Sequence, residues 1–216
     1  MPPLRDEHAP LSSVRVEAAD LAHWIRRRAV SQDRFLFGLA GAPGSGKSTL
    51  AAQLASALDA VVVPMDGFHL PNRVLDERGL RSVKGAPQTF AGAEFVDAVR
   101  RLRVGEHDVA LPAFDRELDE PVADRVVVPA AQRVVIVEGN YLLQQTEPWV
   151  QLAALFDATG HIEVDRARRV SRLVARHVAF GKSATEAAAF VEQSDEVNAR
   201  LVEAAAHRAD VRVVVS

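Results

Sequence analysis

Short apolar runs alternate with longer amphipathic stretches along most of this chain. Phe35-Leu36-Phe37-Gly38-Leu39-Ala40, Ala60-Val61-Val62-Val63-Pro64-Met65, Arg133-Val134-Val135-Ile136-Val137, Gly160-His161-Ile162-Glu163-Val164 and Val211-Arg212-Val213-Val214-Val215 have strand length and β-branched or aromatic content. Between them lie stretches with helical spacing. Val14 to Gln32 places Leu21, Ala22, Trp24, Ile25 and Ala29 on one face and reads as one amphipathic helix, with Arg26-Arg27-Arg28 partly on the other. Thr49 to Leu58 is Ala/Leu-rich and helix-forming. Glu147 to Leu155 and Asp165 to Phe180 follow, and a last helical pattern runs from the capping box Ser183-Ala184-Thr185-Glu186 to about His207. Five strands alternating with helices predict an α/β fold in which a parallel sheet carries helices on both faces and the crossovers are right-handed.

Two regions depart from this alternation. Residues 1 to 13 hold three prolines and little periodicity, and read as an arm. Residues 67 to 132 form an insertion: a helix from Gly92 to Val104, then strands at Val109-Ala110-Leu111 and Arg125-Val126-Val127-Val128 around a polar loop from Asp115 to Asp124. An insertion of roughly sixty residues exceeds what a connection needs, which points to an acceptor-binding role. It offers His69, Lys84, Asp115 and Arg116 as polar contacts and Phe68, Phe90 and Phe114 as apolar walls, a mixture suited to a polyol or ribose. Arg73, Arg81 and Lys84 leave an anionic acceptor open.

The strongest chemical signal is Gly41-Ala42-Pro43-Gly44-Ser45-Gly46-Lys47-Ser48-Thr49, which fits GxxxxGK[ST] between a predicted strand and a predicted helix. Glycines let successive backbone N–H groups turn toward phosphate oxygens at a helix N-terminus. Lys47 then reaches the β- and γ-phosphates, and the Ser48 hydroxyl is placed for Mg²⁺. The chain has three lysines against twenty-three arginines, so the lysine in this position is a pointed choice.

Asp66 follows the second strand and Glu138 ends the third, both at the carboxyl edge of the sheet, where open α/β folds bind ligands. Asp66 reads as a general base for an acceptor hydroxyl or as the Asp of an Asp-Gly turn. Glu138 reads as a Mg²⁺ partner or as a cap. Arg166, Arg169, Arg172 and Arg176 fall within about 120° of one helix face. Val170, Val174 and Val178 lie on the other side. The arginine stripe fits either a lid that closes over ATP or a solvated surface.

Composition narrows the classes further. A net charge of −3 gives no broad attraction for nucleic acid or membrane, and no segment has the length of a span. Cysteine is absent, which removes disulfides, thiolate nucleophiles and thiolate metal sites, and the histidines lack metal-ligand spacing. The expectation is a cytoplasmic protein with a small-molecule partner; a homodimer is left open.

With these residues in place, the chain resembles the P-loop kinase group that contains uridine kinase, phosphoribulokinase and bacterial pantothenate kinase. The likeness covers about residues 35 to 215. Beyond the P-loop it rests on Met65-Asp66-Gly67-Phe68-His69, Lys84-Gly85-Ala86-Pro87-Gln88-Thr89-Phe90, Pro112-Ala113-Phe114-Asp115 and Val137-Glu138-Gly139-Asn140. The resemblance implies a three-layer α/β/α sandwich with strand order 2-3-1-4-5 and ATP·Mg²⁺ held by Gly41, Ala42, Gly44, Ser45, Gly46, Lys47, Ser48 and Thr49. It also implies Asp66 as base, Glu138 serving the metal, and a lid over residues 165–182 bearing Arg169, Arg172 and Arg176. The Tyr-Ser-His segment of pantothenate kinases is replaced by Pro112-Ala113-Phe114-Asp115. The His and Arg that follow Tyr-Asp in uridine kinases are replaced by Arg116-Glu117-Leu118-Asp119-Glu120-Pro121. The pattern is most similar to nucleoside/nucleotide kinase-like, fructose-transport-associated kinases. The implied activity is transfer of the ATP γ-phosphate to a sugar or nucleoside hydroxyl. Pantothenate kinase-like activity, a nucleotide-dependent switch or ATPase, and a non-catalytic nucleotide-binding adaptor are the competing readings. A guanine-reading Asn-Lys-x-Asp segment is missing, since Lys84 follows Val83 and Lys182 follows Gly181.

Overall fold

A computed structural model describes residues 14–215, so the expected arm at 1 to 13 lies outside the described residues. Six parallel strands form one sheet: β1 (Val14–Glu17), β2 (Phe35–Ala40), β3 (Val61–Pro64), β6 (Val134–Gly139), β7 (Ala158–Glu163) and β8 (Val211–Val214). Their order across the sheet is β1-β8-β7-β2-β6-β3. The five expected strands therefore stand in the expected order, with β6 paired to β2 from Phe35↔Val134 to Ala40↔Gly139.

The sixth strand corrects the reading of residues 14 to 32 as one helix. Val14-Arg15-Val16-Glu17 alternates apolar and charged positions, a period of two, and pairs in parallel with β8 from Val14↔Val211 to Glu17↔Val214. The helical period begins only at Leu21, where α1 (Leu21–Ala29) buries Leu21, Ile25 and Ala29. The triple arginine lies on its exposed side.

Two cores flank the sheet. One joins α1 and α2 (Lys47–Leu58) to Phe35, Phe37, Leu39 and Ile136. The other packs α4 (Gly92–Val104), Tyr141, Trp149 and α7 (Glu196–Ala204) on Leu36, Val135 and Val137. β2 and β6 alternate their side chains between the two, which is why they read as continuous apolar runs.

Residues 67–132 contribute α3 (Asn72–Glu77), α4 and a separate pair of strands, which are longer than expected. β4 (Val109–Asp115) and β5 (Glu120–Val128) form an antiparallel hairpin whose turn is only residues 116–119. Pro112 and Pro121 hid this. Pro112 sits at an irregularity in the register between Leu111 and Ala113, a place where a strand tolerates proline. The short helix expected at Glu147 to Leu155 is a 3-10 turn over Trp149–Ala154. The last helical stretch is divided into α6 (Ala184–Phe190), a π-helical turn over Val191–Asp195, α7, and a 3-10 turn over Ala206–Arg208.

Candidate active site

Strand β2 delivers the chain into the loop 41–46, and α2 starts at Lys47. Gly44 and Gly46 take φ of 76° and 92°, the left-handed region that glycine enters without strain. Ser45 N–H donates to the Ala42 carbonyl at 3.1 Å and Leu50 N–H to that of Gly46 at 3.0 Å. Between them lie the first-turn amides of α2, which have no acceptor within their own helix and form a cradle for an anion. The Ser45 hydroxyl is buried and has no hydrogen-bond partner among the described residues.

Close packing brings two carboxylates to the mouth of this loop. β3 runs beside β6 with Pro64 opposite Glu138, and a Cβ on Gly139 would stand 2.6 Å from that of Met65, so only glycine lets the two strand ends approach this far. Glu138 accepts a hydrogen bond from the Ser48 hydroxyl at 2.9 Å and is 4% exposed. Burial raises its pKa, against the opposing pull of Lys47. Asp66 lies in a 3-10 turn over Met65–Phe68, is one-third exposed, and faces Arg116 of the hairpin turn at 3.9 Å. The turn is pinned by Gly67, where a Cβ would fall 2.2 Å from the Pro112 carbonyl oxygen.

Around Asp66 the other expected contacts separate into two sets. His69 stacks between Phe90 (centroids 4.0 Å) and Phe114 (5.0 Å), with Nδ1 2.8 Å from the Asp66 carbonyl oxygen. Burial lowers its pKa, partly offset by the Asp66 carboxylate. With Arg116 these residues border Asp66. Lys84 instead bonds Asn72 Oδ1 at 2.7 Å and the Asp119 carbonyl at 2.6 Å, tying its loop to the hairpin turn. Asp115 accepts from the Glu117 and Leu118 amides and shapes that turn.

Helix α5 (Arg166–Ala179) lies across the P-loop, and Arg169 alone of its arginine stripe is buried. Arg169 is 5% exposed, ion-paired with Glu196 at 2.9 Å, and donates to the Pro43 carbonyl at 3.2 Å. Arg172 is exposed and reaches the Ser45 carbonyl at 3.4 Å and that of Gly44 at 3.5 Å. Leu173 packs against Gly44. Arg176 is directed elsewhere, to Asp195 at 4.0 Å. On the other side Val170 and Val174 are half-buried and Val178 is 43% exposed.

Sequence reasoning passed over several polar groups here. Tyr141, wholly buried, donates to the Gly85 carbonyl at 2.5 Å. Burial raises the pKa of its hydroxyl, helped by the charges of Asp66 and Asp195. Asn140 Oδ1, next to it at the sheet edge, is buried and has no hydrogen-bond partner among the described residues.

No protein-family model matches the chain. A Schizosaccharomyces pombe protein named "Putative uridine kinase C227.14" is 35% identical over 211 residues, covering 88% of this chain and 90% of that protein. The chain belongs to the P-loop kinases. The "Uncharacterized protein YggC" of Escherichia coli K12 is 39% identical over 178 residues, covering 79% of this kinase and 73% of the relative. Among solved structures, the "putative fructose transport system kinase" from Silicibacter sp. TM1040 superposes with a TM-score of 0.85 at 41% identity, covering 91% of this chain and 98% of its own. This kinase is a phosphotransferase acting on a small molecule, and P-loop kinases use ATP and generally Mg²⁺. No helix among its described residues is long and apolar enough to cross a membrane.

Proposed function

We propose that this kinase transfers the γ-phosphoryl group of ATP to a hydroxyl of a sugar or nucleoside. The observation that carries the reading is the meeting of two carboxylates with the P-loop. Glu138 is buried and bonded to Ser48, while Asp66 is partly open and set beside the insertion.

The loop from Gly41 to Thr49, with Lys47, holds the phosphates, and the backbone carries most of that work. The Ser48 hydroxyl and Glu138 carboxylate form an oxygen donor pair of the kind Mg²⁺ takes, so the residues present fit the ion. Held there, Mg²⁺ would neutralise charge on the phosphate oxygens. Asp66 orients the acceptor hydroxyl and takes its proton as the new O–P bond forms and the bond to the β–γ bridging oxygen breaks, leaving ADP. Arg172, against the P-loop carbonyls, stabilises the phosphoryl charge; Arg169 holds α5 on the loop and so acts as a positioning residue. Residues 67–132 bind the acceptor through His69, Phe114 and Arg116. Residues 165–182 serve as the lid of this single domain.

The test is an acceptor screen with ATP over free sugars, sugar alcohols, nucleosides, sugar phosphates and pantothenate, scored by ADP release and product mass. Phosphorylation of a polyol or nucleoside supports the reading. Phosphorylation of pantothenate alone, or ATP hydrolysis that no acceptor accelerates, overturns it.

A further inference from the structure

The helical stretch after α6 carries polar side chains on its packing stripe. Val191, Asp195, Asn198 and Val202 succeed one another at i, i+4, i+7 and i+11, and their exposures are 1%, 8%, 5% and 1%. A carboxylate and an amide where a helix packed on a sheet would place apolar groups are costly unless they are hydrogen-bonded.

Asp195 is only half answered. Its Oδ2 is 2.8 Å from His177 Nε2, while its Oδ1 has only Arg176 at 4.0 Å, an ion pair beyond hydrogen-bond reach. Asn198 makes no side-chain hydrogen bond among the described residues. Its Nδ2 lies 3.8 Å from where a Cβ on Gly85 would stand, and Gly85 is the residue whose carbonyl holds the Tyr141 hydroxyl. Asn198 therefore stands beside the loop at Gly85, part of the same insertion that borders Asp66. The Tyr141 hydroxyl, held by that loop, feels both the Asp66 and the Asp195 charge. The π-helical turn at Val191–Asp195 adds a residue to the helical turn that carries Asp195, a distortion common at functional sites.

We infer that Asp195 and Asn198 form the specificity wall of the acceptor recess and take two non-reacting hydroxyls of a neutral polyol. Asp195 Oδ1 accepts from one hydroxyl, and the Asn198 amide exchanges a hydrogen bond with another. A carboxylate or phosphate at this wall brings no proton for Oδ1 and meets its charge at close range, while Arg176 and His177 are already committed to Asp195. The inference rests on the proposed role of Asp66 and deepens it by naming the acceptor as uncharged and polyhydroxylated.

The experiment compares wild type, Asn198→Ala and Asp195→Asn in initial-rate assays with ATP. The acceptors are neutral sugars, sugar alcohols and nucleosides, with aldonates as charged counterparts of the sugars. Circular dichroism melts report folding. Asn198→Ala is expected to raise the acceptor KM roughly ten- to thirtyfold, with the ATP KM within about twofold, the size of one or two lost hydrogen bonds. Asp195→Asn is expected to narrow the preference for a neutral sugar over its aldonate by about fivefold or more, a change that a merely structural role would not produce. If Asp195→Asn fails to fold, the KM of Asn198→Ala decides alone. Unchanged acceptor KM in the folded variants, or a wild type that prefers aldonates, overturns the inference while leaving the kinase reading intact. A wild type that turns over none of these acceptors overturns both, and is seen before any variant is compared.

Discussion

The phosphate-binding end of the site comes from nine consecutive residues, Gly41 to Thr49, whereas the acceptor end draws on the Asp66 turn, the loop at Lys84 to Phe90 and the β4–β5 hairpin. The first end is a backbone device: glycine torsions and a helix N-terminus do the shaping, and Lys47 and Ser48 supply the side-chain chemistry. The second is a tertiary device, in which Gly67 beneath Pro112, His69 between two phenylalanines and Lys84 on Asp119 hold one another in place. A local device keeps its chemistry while surrounding loops vary; a tertiary one can change its ligand by changing any of several loops. That division explains why the enzyme class is plain in this chain while the acceptor is reached only through geometry.

Variants at the two ends should fail differently. Lys47→Ala is expected to remove turnover, by about 10³ or more, with a melting temperature close to wild type, since the residue supplies phosphate electrostatics and no core contact. A variant with ordinary turnover would take the P-loop out of the mechanism. Asp66→Asn should lose on the order of 10² to 10⁴ in rate while ATP affinity, read by titration calorimetry, stays near wild type. Equal losses of rate and ATP affinity would move Asp66 to the metal side.

The two arginines of α5 that touch the P-loop offer a sharper contrast. Arg169→Ala removes one of the two arginines on the buried Glu196, leaving Arg166 at 2.6 Å, and should cost about 1.5–3 kcal/mol in urea unfolding. Arg172→Ala, at an exposed site, should leave stability within about 0.5 kcal/mol and reduce kcat. Matching effects from both substitutions would erase the distinction between a positioning and a charge-stabilising arginine.

The last contrast belongs to His161, which stands on the neighbouring strand opposite Ala40, the residue that precedes the P-loop. It is fully buried in β7, neither ring nitrogen is hydrogen-bonded among the described residues, Nε2 lies 3.8 Å from a Glu203 carboxylate oxygen, and burial lowers its pKa to about 4. The unfolded chain takes up this proton near pH 6.5 while the native one refuses it until about pH 4, so stability falls as pH drops through that window and is level above it. Between pH 7.5 and 4.5 the loss should be about 2 to 3 kcal/mol, and His161→Phe should remove most of that part of the pH dependence in denaturant melts. An unaltered pH profile in the variant would exclude His161 as its source.

The legibility of each part follows from the range of the contacts that make it. The P-loop, Asp66 and Glu138 could be read because each is fixed by its own strand end. Strand β1 could not, because four residues of mixed charge become a strand only when β8 stands beside them. The hairpin was concealed by prolines that an irregular strand accommodates. Asp195 and Asn198 were passed over within a helical stretch; their i, i+3 spacing on the line joining Val191 and Val202 was the available signal.

The pairing of Val14 with Val211 also dictates an order of assembly. At ordinary synthesis rates of roughly 5–20 residues per second, β1 waits on the order of ten to forty seconds for β8 to be made, while β2 can find β6 in about half that time. The centre of the sheet, which carries the P-loop, can therefore form before its β1 edge. That edge closes last, and β1 offers its backbone groups to any other strand until then.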